Sequence, residues 1–114
     1  MPKFVFMPPQ DELKEMFAAR LSDTMPEYDV VSPETDQQAI EAIRDADAAC
    51  GWIPPAALEA ADKLTWLHNP DAGPFHGYYY PELLAHSLTM TNPRGIYFDH
   101  ISHHIMMFVM ALSR

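Results

Sequence analysis

The sequence is poor in cysteine, glycine and positive charge, and each shortage excludes a class of function. Cys50 is the single cysteine, so no disulfide can form within the chain, and an unpaired thiol suits a reducing cytoplasm. The four glycines are Gly51, Gly73, Gly77 and Gly95, and neither a G-x-G-x-x-G nor a P-loop can be written around them. A dinucleotide pyrophosphate would lack the glycine turn at a helix N-terminus that normally holds it. Seven basic residues against sixteen acidic ones leave a formal net charge of −9. That balance argues against a nucleic-acid or anionic-membrane partner, since both need a Lys/Arg surface. The longest apolar run, Ile105 to Leu112, falls far short of the roughly 20 residues that span a bilayer. Met1 to Pro9 lacks the long apolar stretch and small-residue cleavage site of a signal peptide. No G-x-S-x-G nucleophile motif is present either.

What is abundant is proline, eleven residues of 114, and it falls between periodic segments, where a fixed φ and a missing N–H do least harm. Lys3 to Met7 reads as a strand closed by Pro8-Pro9. Leu13, Met16, Phe17 and Leu21 then mark one face of a helix over residues 11–21, with Asp11, Glu12 and Glu15 at its positive end. Tyr28 to Val31 is a second strand. Thr35 and Gln38 have capping-box spacing at the head of a second helix that runs to about Arg44. Asp47 to Trp52 is a buried strand, and Pro54-Pro55 opens a short helix to Ala61. Leu64 to His68 is a fourth strand, Asn69 to Gly77 a loop, Tyr79 to His86 a helix and Leu88 to Thr91 a fifth strand. A last helix runs from about Asp99 to Ser113. Five strands alternating with five helices predict an α/β fold, a doubly wound parallel sheet of flavodoxin-like order 2-1-3-4-5 with a long apolar helix at its end. Ligands then bind at the carboxyl ends of the strands: Met7 to Pro9, Trp52 to Pro54, His68 to Gly73, and Asn92 to Gly95.

Few residues at those ends carry obvious chemistry. Cys50, inside a strand, reads as a small buried hydrophobe. His100 and His104 have i, i+4 spacing, but residues 101–103 lack the Glu of a zinc-protease helix, and the plainer reading is a polar first turn. No metal is expected. Asp71-Ala72-Gly73 is either a concavity of backbone N–H groups for a carboxylate or an ordinary turn with Gly73 at positive φ. Tyr78-Tyr79-Tyr80, and Trp52 likewise, either wall a pocket or pack into the core.

Three segments point to a family. Lys63-Leu64-Thr65-Trp66-Leu67-His68-Asn69-Pro70-Asp71-Ala72-Gly73 resembles the L-K-x-I-x-x-x-G-A-G segment of D-isomer-specific 2-hydroxyacid dehydrogenases. Thr89 to Gly95 resembles their V-x-V-x-N-x-x-G strand and turn, and Asp99 to Arg114 their V-A-E-h-x-L-x-L-L-L-A-L-x-R helix. The segments occur in the family's order and near its spacing. The first half of the chain matches in layout only. Asp71 replaces the first glycine of G-A-G, and His103 stands where the family usually has Glu.

The resemblance implies a substrate-binding domain over residues 1–98 and a crossover helix, 99–114, leading to an NAD(P)-binding domain. The cofactor fingerprint and the catalytic Arg, Glu and His of the family lie beyond that helix, so this chain is expected to have no catalytic residue and no cofactor, and to be inactive alone. NAD or NADP belongs to the full-length enzyme. The resemblance places Asp71, Ala72 and Gly73 at the substrate carboxylate, Trp52 and Ile53 near its side chain, and Tyr97 beside it. Phe98 falls near the nicotinamide. The expected partner is a small 2-hydroxy or 2-oxo carboxylic acid. The alternative is a stand-alone flavodoxin-like binding or interaction module. Because Ile105 to Leu112 is apolar on every side, self-association through the 99–114 helix is expected as well.

Overall fold

The computed structural model describes residues 1–113. Five strands and five helices alternate: β1 (Lys3–Phe6), α1 (Glu12–Thr24), β2 (Asp29–Val31), α2 (Asp36–Ile43), β3 (Ala48–Cys50), α3 (Pro55–Ala60), β4 (Trp66–His68), α4 (Pro81–Ala85), β5 (Thr89–Thr91) and α5 (Phe98–Leu112). The strands form one all-parallel sheet in the order β2-β1-β3-β4-β5, as the alternation requires. Local chemistry sets the ends. Asp11 caps α1 by accepting from the Lys14 N–H at 2.8 Å. Thr35 and Gln38 close a reciprocal capping box on α2, satisfying helix-end donors that would otherwise lack acceptors. Prolines open α3 and α4, where a missing N–H costs nothing.

The two faces of the sheet are covered unequally. On one, Val5, Met7, Ala49 and Leu67 pack with Ala39 and Ile43 of α2, Ala57 and Leu58 of α3 and Leu83 of α4 into the main core. On the other, Phe4, Phe6, Ala48 and Cys50 meet only Ala18 and Leu21 of α1, with Val30 beside them. The register carries that second face on to Trp66, His68, Thr89 and Thr91, which no helix covers. Trp66 is 39% exposed there. Its indole N–H donates to the Thr91 hydroxyl, which also meets His68 Nδ1, both at 2.8 Å.

Two helices meet the sheet less than their apolar side chains would suggest. The Leu13–Met16–Phe17 stripe does not face the sheet, and all three side chains are exposed. The inward face is instead Ala18 and Leu21, because small Ala18 allows the helix a close approach over Phe4 and Phe6. The other helix is α5, read from the sequence as apolar on every side. Every side chain from Phe98 to Leu112 is exposed, and the helix projects away from the domain. The molecule is accordingly 59 Å long, with a radius of gyration of 17.3 Å, against about 13 Å for a compact chain of this length. Among the described residues, no helix is long and apolar enough to cross a membrane.

Candidate functional site

Parallel strands deliver their loops to one edge of the sheet, and two of those loops build a cleft. Asn69, at the end of β4, is almost fully buried. Its backbone N–H donates to the Thr91 carbonyl at 2.8 Å, and its side-chain oxygen accepts from the Asp71 N–H at 3.0 Å, turning the chain outward. Across from it, Asn92 after β5 donates its amide to the Ala72 carbonyl at 3.3 Å. The loops after β4 and β5 are thus stitched together.

Between them lies a cleft of about 550 Å³ lined by Asp71, Ala72, Gly73, Arg94, Gly95, Tyr97, Phe98 and Ile101. Asp71, Ala72, Gly73, Tyr97 and Phe98, singled out from the sequence, share this one space although the chain separates them into two groups. Among the described residues, no protein acceptor meets the N–H of Ala72 or Gly73. Tyr97, Phe98 and Ile101 give the cleft large apolar side chains beside a loop with two amides that have no acceptor among the described residues. Gly73 does not adopt positive φ; the glycines that do are Gly51, Gly77 and Gly95.

Trp52 and Ile53 stand apart from this cleft. Ile53 is fully buried in the main core. Trp52 packs edge-on against Phe75 at 5.8 Å, and Phe75 in turn against Tyr78 at 5.4 Å. The tyrosines brace the neighbouring loop: the Tyr78 hydroxyl donates to the Gly51 carbonyl at 2.6 Å and Tyr80 to the Ile53 carbonyl at 2.7 Å. Burial raises the Tyr78 phenol above its ordinary range and pushes Tyr80 up to about 12, so both remain donors at neutral pH. The Cys50 thiol beneath is pushed up to about 11, chiefly by burial, which leaves it protonated and a poor nucleophile. Among the described residues, no group of three metal-ligating side chains gathers anywhere, and His104 stacks on Phe108 at 4.7 Å.

Arg94 is the residue that sequence reasoning missed. Its segment, Asn92 to Gly95, is one of the strand ends where ligands are expected, and the signal within it was a basic side chain beside a turn glycine.

No protein-family model matches this sequence, nor does any curated protein. Solved structures do. Two of them are 2-hydroxyacid dehydrogenases by description. A D-isomer specific 2-hydroxyacid dehydrogenase family protein from Aeromonas salmonicida subsp. salmonicida A449 superposes with a TM-score of 0.65 and 21% identity. A D-lactate dehydrogenase from Salmonella superposes at 0.59 and 12%. Each match covers 98% of this chain but only 36% of the other, so the chain spans about a third of the length of these structures. At such identities the likeness establishes the fold, and it agrees with the resemblance carried by residues 63–73, 89–95 and 99–114.

Proposed function

We propose that this chain is the substrate-binding part of an NAD(P)-dependent oxidoreductase acting on D-2-hydroxy or 2-oxo acids. The observation that carries the reading is the cleft, which brings the loop of Ala72 and Gly73, whose N–H groups meet no acceptor among the described residues, together with the side chains of Tyr97, Phe98 and Ile101. A small acid has the matching shape, a carboxylate at one end and a short carbon chain at the other. Residues 1–98 form the binding domain in this reading, and α5 leads toward a cofactor domain; of the expected 99–114 helix, residue 114 lies outside the described residues. Trp52 and Ile53 then act through the loop they anchor, and Phe98 closes the cleft on the side where a nicotinamide would approach.

The chain's own residues do not fit a dinucleotide. The turn after β1, where such a fold would hold a pyrophosphate, is Met7-Pro8-Pro9-Gln10. Two of its four residues have no N–H to offer a phosphate. Redox chemistry therefore belongs to the remainder of such an enzyme, and the isolated chain is expected to bind a small acid without turning it over. The unpaired Cys50 is in keeping with a cytoplasmic setting.

Titrating the ¹⁵N-labelled chain with pyruvate or glyoxylate tests the binding. Shifts are expected at Ala72, Gly73 and Tyr97, with a dissociation constant no tighter than about millimolar, since orienting the ligand offsets much of two hydrogen bonds. Absorbance at the nicotinamide band with NADH and 2-oxo acids should remain at blank. Perturbations centred on His100 and His104 instead, or turnover above blank, would remove this reading.

A further inference from the structure

From the charges lining the cleft, we infer that Arg94 is the counter-ion for the substrate carboxylate, offsetting Asp71 and making the site selective for a monocarboxylic 2-hydroxy or 2-oxo acid over its neutral amide. The inference rests on the substrate-cleft reading above and deepens it.

Of the eight residues lining the cleft, Asp71 is the only acid and Arg94 the only base. Without Arg94, an anion would approach a carboxylate in a chain already carrying −9, and two neutral amides would have to overcome that repulsion. The other cations near the sheet are engaged elsewhere. Lys3 pairs with Asp45 at 2.6 Å, and Lys14 donates to the Met7 and Pro9 carbonyls at 2.8 Å each. Arg94 has no ion-pair or hydrogen-bond partner among the described residues, so its five donors are available.

Its backbone is held rather than free. Two residues earlier Asn92 bonds Ala72, the very loop whose amides are free, and one residue later Gly95 turns at φ +89°. Phe98 closes over that turn, 3.6 Å from where a Cβ on Gly95 would stand, and its N–H donates to the Gly95 carbonyl at 3.3 Å. The loop amides and the backbone that carries Arg94 thus belong to one tethered unit. A guanidinium presents a planar fork that matches a carboxylate, and charge-assisted bonds are about twice as strong as neutral ones.

The test is the same NMR titration run on wild type, Arg94→Gln, Arg94→Lys and Asp71→Asn, with pyruvate, lactate and lactamide. Arg94→Gln is expected to weaken carboxylate binding about tenfold, Arg94→Lys to restore part of it, and Asp71→Asn to strengthen it about threefold. Lactamide should bind wild type and Arg94→Gln alike, and high salt should shrink the difference between them for lactate. Unperturbed spectra of the free variants, away from residues 92–98, exclude a merely structural effect. If wild type binds carboxylates at Ala72 and Gly73 and Arg94→Gln binds them equally well, the role of Arg94 is overturned while the cleft reading stands. If wild type binds no carboxylate up to tens of millimolar, both fall.

Discussion

At the scale of single residues, Gly51 carries the tightest constraint in the molecule. It has φ +113°, and a Cβ there would lie 3.2 Å from the Met7 Cβ. An L-residue is strained by that backbone whatever the space around it, and here the space is also taken. Gly51→Ala is expected to cost about 1–3 kcal/mol, read as a lower urea midpoint with unchanged slope. Its neighbour Cys50 makes a pH prediction with a definite sign. The unfolded thiol titrates near its ordinary value of 9.0, while the folded one is pushed up to about 11. Below the first value both states keep the proton and the shift contributes fully. Between the two, the unfolded chain loses a proton that the folded chain retains, so stability falls as pH rises through that window. Urea midpoints near pH 8 and pH 10.5 should therefore diverge more for wild type than for Cys50→Ala; equal divergence would place the titrating group elsewhere. Tyr80, pushed up to about 12, adds a loss in the same direction at higher pH.

Among the elements, what could be read from sequence depended on whether neighbours along the chain or across space decided the outcome. Strand positions and their order followed from Pro-Pro and Asn-Pro punctuation and from the alternation of short apolar runs with helical periods. The inward face of α1 did not, because Leu13, Met16 and Phe17 outweigh Ala18 in apolar bulk, and only the packing under Phe4 and Phe6 shows that the small residue lies inside. The site was half legible. Asp71 to Gly73 and Tyr97 came from a resemblance, whereas Arg94 lay in a segment already placed at a strand end, and only the Asn92–Ala72 bond showed which loop it shares a cleft with. For α5 the apolar character was plain, but not that it would touch so little of its own domain. Met106, Met107, Phe108, Val109 and Met110 are each at least half exposed. Burying four of its large side chains would contribute roughly 6–12 kcal/mol gross. Association costs about 4–15 kcal/mol, which is comparable, and on that balance we propose that a second copy covers the helix. Light scattering at tens of micromolar should show dimers for wild type. Met107→Lys and Phe108→Glu should shift the population to monomer, and a dimer indifferent to both would count against the helix as the contact.

For the whole molecule, the division into a folded body and a projecting helix predicts two levels of stability in one chain. The body has a continuous core from Val5 to Leu88 and should unfold cooperatively. An isolated helix of 15 residues is marginal in water, so the α5 amides are held only as well as the helix is partnered. In dilute solution they should exchange with deuterium orders of magnitude faster than those of β1 and β3, and slow as concentration rises. Uniform protection at every concentration would mean that α5 leans on the body. The same exposure sorts the methionines by chemistry. Met7 is 1% exposed, behind Gly51, whereas Met106, Met107 and Met110 are open by 52–67%. Peroxide should therefore convert these three, along with the equally open Met1 and Met16, to sulfoxides well before Met7, each a polar, chiral group in place of a flexible apolar one. An oxidised chain would lose its sticky helix while keeping its fold, and mass spectrometry beside light scattering would register the two changes together.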